Sequence, residues 1–246
     1  MSKTLSRFRF KQFSVSHHRS AMKVGVDGVL IGCWADTENA KRILDVGTGC
    51  GLIALIMAQR APEAFIDAID VDPPSIEEAS ENISASPWSD RLRAVLCNYS
   101  DVRSLLKDGD GYDLIVSNPP YFDSGVVEIV TAREKARHQG ELSPLSLLIG
   151  SKDILKQGGS VAMVFPSELS SALEEEARSL GYSLMRKCLV RGHEEAPYKR
   201  VLIQWKYNKG SSDPLHVPLD YLTLESSINI PTDEYRSLCK DFYLKF

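Results

Sequence analysis

Short apolar stretches alternate along this chain with longer segments in which apolar residues recur every three or four positions. The short stretches, rich in Ile, Leu and Val, are typical of buried strands, and the longer segments are typical of helices. The predicted strands cover residues 42–47, 64–71, 92–98, 112–118 and 160–166. The predicted helices cover residues 51–61, 74–85, 145–156 and 170–180. Strands that alternate with helices pair through right-handed parallel crossovers, so the pattern predicts a doubly wound, Rossmann-like α/β sheet with helices on both faces.

The C-terminal part of the chain has a different pattern. Residues 183–190 and 200–207 are predicted strands without a helix between them, which favours a late antiparallel hairpin. Residues 233–243 have the spacing of a further helix. We therefore predict an N-terminal extension over residues 1–40 and one α/β domain over residues 41–246.

Composition and charge narrow the class of protein. The 246 residues include 43% hydrophobic and 25% charged residues, which is ordinary for one globular domain. The net charge of −4 argues against binding nucleic acid through overall positive charge, although it allows a local basic patch. No apolar run approaches the ~18 residues that span a bilayer, and the N-terminus lacks an apolar signal segment, so we expect a cytoplasmic protein without membrane contact. Five scattered cysteines without a CxxC pair predict neither disulfides nor a metal site.

A glycine-rich turn, DVGTGCG over residues 45–51, joins the first strand of the predicted sheet to the following helix. Ligands of open α/β sheets bind at this edge, and glycines let the backbone approach them closely. The spacing is GxGxG after an acid and differs from the GxGxxG of dinucleotide-binding proteins. The residues of the turn that we predict to hold a ligand are Asp45, Gly47, Thr48, Gly49 and Gly51.

A second acid, Asp70, ends the next predicted strand, where a carboxylate is suited to hold two ribose hydroxyls. Val71 follows it at the same edge, and Asp72 is the second choice for the hydroxyls. An acid at the turn and another at the second strand suit a nucleoside ligand without a pyrophosphate, such as S-adenosylmethionine. The alternative is a structural turn flanked by two exposed aspartates.

The fourth predicted strand ends in the residues Asn118, Pro119, Pro120 and Tyr121. The two prolines fix φ and remove two N–H donors, so the carbonyl oxygens here are stiffly held acceptors. An exocyclic adenine amine is a weak nucleophile because its lone pair is delocalised into the ring. If the Asn118 side-chain oxygen and the Pro119 carbonyl accept hydrogen bonds from its two N–H groups, that lone pair is directed at a methyl donor. Tyr121 supplies a flat face on which a flipped-out base stacks. A plain proline-rich turn is the alternative.

These motifs, in this order, resemble the class I S-adenosylmethionine-dependent methyltransferases that act on amino groups. Further segments are similar to the bacterial family that methylates an adenine N6 in tRNA(Val): FRFKQF (8–13), AMKVGVDGVLIGCW (21–34), ENISASPW (81–88) and FYL (242–244). The resemblance spans nearly the whole chain. It implies a seven-stranded sheet, S-adenosylmethionine as cofactor, and a tRNA substrate methylated at position 37 beside the anticodon.

Three residues outside the main motifs are candidate cofactor contacts. An aspartate usually stands at the end of the third strand in this family and faces the cofactor adenine. Here the residue is Asn98, whose side-chain carbonyl can accept the same bond without the charge, unless it is an ordinary loop asparagine. Lys23 and Asp27 precede the first strand of the sheet. We predict that Lys23 reaches the cofactor carboxylate and that Asp27 sits over the cofactor.

The first 26 residues contain six basic residues and no acid, with Phe8, Phe10 and Phe13 interleaved. Such an arm on an otherwise acidic protein favours contact with RNA phosphates and local stacking on bases. A second basic segment follows Tyr121. The predicted RNA contacts are Arg7, Arg9, Lys11, His17, Arg19, Arg133, Lys135 and Arg137. The alternatives are a solvated terminus and a charged surface loop.

We therefore predict an S-adenosylmethionine-dependent adenine-N6-methyltransferase of tRNA; the sequence does not tell whether the protein has a protein partner. One alternative is a methyltransferase of a protein glutamine N5 amide, as in release factors, since NPPY serves both reactions. Those enzymes carry a helical N-terminal domain, whereas about forty residues precede the first strand here. Another alternative is a non-catalytic module that binds the cofactor or RNA, but the intact NPPY argues against it.

Overall fold

The computed structural model describes residues 7–107, 109–120, 142–208 and 217–246. A short hairpin of β1 (Phe8–Arg9) and β2 (Ser14–Val15) precedes the main sheet. The strands of the main sheet are β3 (Arg42–Val46), β4 (Phe65–Asp70), β5 (Leu92–Leu96), β6 (Tyr112–Ser117), β7 (Leu155–Pro166), β8 (Tyr182–His193), β9 (Arg200–Tyr207), β10 (Leu219–Ser227) and β11 (Ile230–Pro231). The α-helices are α1 (Val26–Trp34), α2 (Leu52–Arg60), α3 (Pro73–Ser84), α4 (Pro144–Ser151), α5 (Ser170–Ser179) and α6 (Asp233–Cys239). Short 3₁₀ helices span Tyr99–Leu105 and Ser167–Leu169.

The main sheet has the order β11-β10-β8-β9-β7-β6-β3-β4-β5. Strands β5, β4, β3, β6 and β7 are parallel, and β9 runs antiparallel between β7 and β8. This confirms the doubly wound α/β fold with its late antiparallel hairpin. Because strand order reverses on either side of β3, the carboxyl ends of β3, β4 and β6 form the crevice in which such sheets bind ligands.

The sheet has nine strands in the described residues, where seven were expected. β10 pairs in parallel with β8, and β11 returns beside it as the edge strand. Strand β10 was not predicted from the sequence, because most of its side chains are open to solvent, including Leu219 and Tyr221. A strand that buries few side chains lacks the apolar alternation on which sequence reasoning depends.

Both faces of the sheet are covered. In β3, Ile43 packs among α1, α2, α3 and α6, whereas Leu44 packs on the other side among α4 and α5. Both side chains are fully buried. This two-sided burial explains why the central strands are continuously apolar in sequence.

Several element boundaries differ from prediction, and one helix was not predicted. The helix predicted over 145–156 ends at Ser151, and β7 begins at Leu155 instead of Ser160. Two glycines interrupt the apolar pattern of that strand, and Gly158 has a φ of +78°. The C-terminal helix ends at Cys239, four residues early. Helix α1 was not predicted, because every residue from Gly28 to Trp34 is buried and no polar face marks a helical period.

The N-terminal segment packs on the same core as the sheet. Phe10 and Phe13 are buried, with ring centroids 4.6 Å apart, and the Phe10 ring lies 5.9 Å from that of Tyr243. These two rings are therefore unavailable to RNA bases, which corrects that part of the stacking prediction. The division of the chain at residue 40 stays a prediction.

Candidate active site

The glycine turn between β3 and α2 adopts a backbone that requires glycine. Gly47, Gly49 and Gly51 have φ values of +70°, +54° and +82°. A Cβ atom on Gly47 would lie 3.0 Å from a methyl carbon of Leu142, so this position is also sterically restricted. At Gly47 and Gly49 the turn borders the crevice, whereas Gly51, also predicted to hold the ligand, is buried beside Ala79.

Asp45 and Thr48 lie beneath this turn. The Asp45 carboxylate is fully buried, and its Oδ2 accepts hydrogen bonds from Thr48 Oγ1 (2.6 Å) and from the Ala54 N–H (3.0 Å). Its Oδ1 has no hydrogen-bond partner among the described residues. Burial raises the pKa of Asp45 to about 7, although the two hydrogen bonds oppose this shift. The structure places both side chains where they support the turn, and not on the surface of the crevice.

Asp70, at the end of β4, connects the turn to the next strand. One carboxylate oxygen accepts a hydrogen bond from the Gly49 N–H (2.9 Å), and the other accepts one from the Asp72 N–H (3.0 Å). Each oxygen keeps a further lone pair for a ligand hydroxyl. Asp72, the second choice in the sequence, caps α3 by accepting bonds from the Ser75 N–H (3.0 Å) and Oγ (2.6 Å). This geometry favours Asp70 as the ribose-binding acid.

The crevice is a cleft of about 450 Å³ with a mostly apolar lining. It brings together the ends of four strands, and the predicted site residues that line it are Gly47, Gly49, Asp70, Val71, Asn98, Asn118 and Pro120. Val71 and Met22 both line it, and each is half-exposed or more. The cleft therefore combines exposed apolar side chains with a carboxylate and the start of the NPPY motif.

Sequence reasoning missed several residues of the lining, among them Ala21, Met22 and Leu142. Ala21 and Met22 belong to the segment AMKVGVDG, which was noted only for its resemblance to known proteins. No periodicity marks these positions, because they approach the cleft through a loop. Only the position of that loop over the sheet edge could identify them.

Other predicted cofactor contacts are placed differently. Asn98 lines the cleft, but its side-chain oxygen accepts hydrogen bonds from the Ser100 N–H and Oγ, each 3.1 Å long, at the start of a 3₁₀ helix. The Asp27 carboxylate pairs with Arg200 Nε at 2.9 Å. Neither Asp27 nor Lys23 is part of the described cleft lining. Their contacts with a cofactor stay predictions.

The predicted RNA contacts fall into three groups: exposed residues, residues that contact other parts of the protein, and residues outside the described part of the chain. Arg7 and Arg9 are exposed, whereas Lys11 donates to the carbonyl of Phe246 (3.1 Å). Arg19 pairs with Glu81 and lies 3.6 Å from Glu77. The His17 ring stacks on His18 with centroids 5.5 Å apart. Three predicted RNA contacts lie outside the described part of the chain: Arg133, Lys135 and Arg137. The predicted catalytic residue Tyr121 lies outside it as well.

A larger cavity of about 1080 Å³ lies at the carboxyl end of α2, beside α6. Lys11 is the only predicted site residue in its described lining. This larger cavity is lined by neither the glycine turn nor the strand ends that carry the predicted site residues. We therefore assign the active site to the smaller cleft. Across the described ranges, no helix is long and apolar enough to cross a membrane, and no cluster of three His, Cys, Asp or Glu could hold a metal ion.

The sheet order, the glycine turn, Asp70 on the neighbouring strand and Asn118 in the same cleft define a class I methyltransferase. Residues 28–180 match the family described as methyltransferase small domain. A tRNA1(Val) (adenine(37)-N6)-methyltransferase of Trichodesmium erythraeum is 40% identical over 98% of this chain and 99% of its own. The enzyme of the same name from Parabacteroides distasonis is 43% identical over 97% and 98%. This chain belongs to the family of tRNA1(Val) (adenine(37)-N6)-methyltransferases.

A solved structure agrees with the fold. A predicted O-methyltransferase from Agrobacterium tumefaciens superimposes with a TM-score of 0.67, covering 88% of this chain and 96% of its own. At 17% identity this likeness concerns the fold alone. Fold and family together imply S-adenosylmethionine-dependent methylation.

Proposed function

We propose that this protein transfers a methyl group from S-adenosylmethionine to the N6 amine of the adenine at position 37 of tRNA(Val), in the cytoplasm. The relatives so named match nearly the full length of the chain. The observation that carries the proposal is that Asn118 lines the same cleft as Asp70 and Gly49. Residues suited to the target amine and residues suited to a nucleoside cofactor therefore meet in one place.

The cleft residues fit S-adenosylmethionine. The exposed backbone of the glycine turn can approach the methionine part closely, and Asp70 has free lone pairs for the ribose hydroxyls. Val71 and Met22 offer apolar surface to the adenine ring. The volume of about 450 Å³ suits a ligand of this size. When bound, the cofactor supplies a methyl group activated by a sulfonium.

The chain itself prepares the amine. The Asn118 side-chain oxygen and the Pro119 carbonyl oxygen accept hydrogen bonds from the two N–H groups of the target nitrogen, which directs its lone pair toward the methyl donor. Positive charge develops on this nitrogen during transfer, so both dipoles stabilise the transition state more than the ground state. The methylated nitrogen is strongly acidic and releases its extra proton to solvent after the transfer, so the transfer itself needs no titrating base. Tyr121, whose ring we assign to stacking on the base, lies outside the described residues.

The direct test is to incubate the protein with labelled S-adenosylmethionine and bulk tRNA, bulk DNA or a release factor. We expect label in tRNA, and N6-methyladenosine in the nucleosides released from it. A tRNA(Val) transcript with guanosine at position 37 is the control and should stay unlabelled. Label on a protein glutamine would favour the alternative reaction, and absence of label from every acceptor would favour a non-catalytic module.

Replacing Asp70 by alanine should weaken cofactor binding by about 10- to 100-fold, because hydrogen bonds to a charged acceptor contribute roughly 1.5–3 kcal/mol. Loss of the Gly49 bond adds to this effect by loosening the turn. Calorimetric titration with S-adenosylmethionine measures the change. Asp90→Ala, an exposed aspartate just before β5, is the control and should bind normally. Equal affinities of the two variants would contradict the ribose assignment.

Replacing Arg7 and Arg9 together by alanine should raise the KM for tRNA and leave cofactor affinity unchanged. Both residues are exposed, and the structure gives neither an ion pair in the part of the chain it describes. If each contacts a phosphate, the slope of log affinity against log salt should fall by about 0.7–0.9 per contact. Lys41→Ala with Lys107→Ala removes two exposed lysines at the opposite sheet edge as the control. Identical slopes for both double variants would exclude the arm from RNA binding.

A further inference from the structure

Helix α3 carries a buried glutamate with an unusual set of partners. Glu78 is 1% exposed, and its carboxylate accepts hydrogen bonds from the backbone N–H groups of His18 (2.6 Å), Arg19 (3.2 Å) and Ser20 (3.0 Å). Burial by itself would raise the pKa of Glu78, but these donors outweigh it and hold the pKa below its usual range. A charged side chain thus fixes three consecutive residues of the N-terminal segment.

One helical turn later, Asn82 joins that segment to the glycine turn. Its Oδ1 accepts a hydrogen bond from the Ser16 N–H (2.9 Å), and its Nδ2 donates to Ser16 O and Cys50 O, each at 2.8 Å. Asn82 is 3% exposed. Cys50 lies between two glycines of the turn. The side-chain amide of Asn82 therefore connects the turn with Ser16, which lies 34 positions before Cys50 in the sequence.

The segment held by these two side chains, residues 16–22, is here named the strap. Its last residues, Ala21 and Met22, line the cleft that holds Asp70 and Asn118. The Ser20 Oγ donates to Met22 O at 3.0 Å, which fixes the turn by which the strap enters the cleft wall. The strap itself contains no carboxylate, so its position depends on acceptors from α3.

We propose that Glu78 and Asn82 are positioning residues that fasten the strap and the glycine turn to α3, and so complete the cofactor-binding cleft. The inference rests on the proposed function, because it assigns a wall of the same cleft. Neither side chain lines the cleft in the described structure. Both act through the backbone atoms they hold.

This coupling has a measurable consequence. A cofactor that needs both the strap and the turn binds only molecules in which the two are ordered. Its apparent dissociation constant equals the intrinsic value divided by the fraction of such molecules. A variant that releases the strap in about nine molecules of ten therefore binds about tenfold more weakly. Once the cofactor saturates the protein, the strap is held again and the chemical step is unaffected.

The test uses two near-isosteric variants. Glu78→Gln removes the charge and one acceptor, and Asn82→Asp places a carboxylate against the carbonyls of Ser16 and Cys50. For both we expect the dissociation constant and the KM for S-adenosylmethionine to rise by about tenfold or more, with kcat at saturation within about threefold of the unchanged protein. The backbone amides of residues 18–20 should also exchange hydrogen faster in these variants than in the unchanged protein. Adding the cofactor should slow their exchange again.

Two further variants keep the test decisive if either of these fails to fold. Glu77→Gln makes the same chemical change at the neighbouring, exposed position and should leave affinity unchanged, because exposed ion pairs contribute little. Met22→Ala alters only an exposed side chain of the wall and should weaken cofactor binding without lowering Tm. Unchanged affinity in Glu78→Gln or Met22→Ala would overturn the proposal. Equal losses of kcat and affinity would indicate damage to the catalytic residues instead.

Failure of the proposed function is distinguishable from failure of this inference. If the unaltered protein binds no S-adenosylmethionine in the calorimeter, the cofactor assignment is wrong, and the strap has no cofactor to enclose. If it binds the cofactor and the variants bind it equally well, the function stands and the roles of Glu78 and Asn82 are disproved.

Discussion

Replacing Asn118 by alanine should lower kcat for tRNA methylation by at least about 10³-fold, with cofactor affinity within about twofold of the unchanged protein. Asn118 lines the cleft, and a side-chain hydrogen bond holds Ser117, the residue before it. The Ser117 Oγ donates to Val46 O at 2.7 Å, which ties the end of β6 to β3 just before the glycine turn. A fixed acceptor acts on the amine only as charge develops there, so its loss affects the transition state.

Asn118→Asp is the matched variant. It keeps an oxygen acceptor of the same reach, so we expect it to retain far more activity than Asn118→Ala. Single-turnover methylation of tRNA, together with calorimetric titration of the cofactor, separates the chemical step from binding. If cofactor affinity falls as much as kcat in Asn118→Ala, the residue belongs to the cofactor site and its role at the amine is wrong.

The central part of this site was predictable because its residues are close in sequence to the features that mark them. The glycine turn directly follows an apolar strand, Asp70 ends the next one, and Asn118 directly follows a third. In a parallel sheet the carboxyl ends of neighbouring strands meet at one edge, so position along the strand is sufficient to bring these residues together. The structure agrees, since all three features border one cleft.

The remaining features depend on contacts between residues far apart in the sequence, which a local sequence pattern does not indicate. Phe10 and Phe13 alternate with basic residues and so had the pattern of an RNA-binding arm, yet Phe10 packs on Tyr243, 233 positions later. The strap is held by Glu78 and Asn82, each about sixty residues away. Asp45 was correctly associated with the glycine turn, but whether its side chain faces the ligand or supports the turn depends on burial from both sides of the sheet.

That burial leads to the second large effect, a pH dependence of stability due to Asp45. Its pKa is about 7 in the folded protein because the carboxylate is removed from water, against an ordinary value of 3.8. Between these values the folded state keeps a proton that the unfolded state loses. Stability from this group is therefore fully present below about pH 4 and is lost as pH rises through about 7.

Replacing Asp45 by asparagine should remove this dependence. The free energy of unfolding of the unaltered protein should fall relative to that of Asp45→Asn by about 3 kcal/mol between pH 5 and pH 8. Urea titrations of both proteins across that range measure the difference, in which the titration of all shared groups cancels. The cost of burying the amide is constant with pH, so it shifts the difference without changing its slope. Parallel curves would mean that Asp45 is already ionised at pH 5 and that its buried Oδ1 is stabilised by a partner still to be identified.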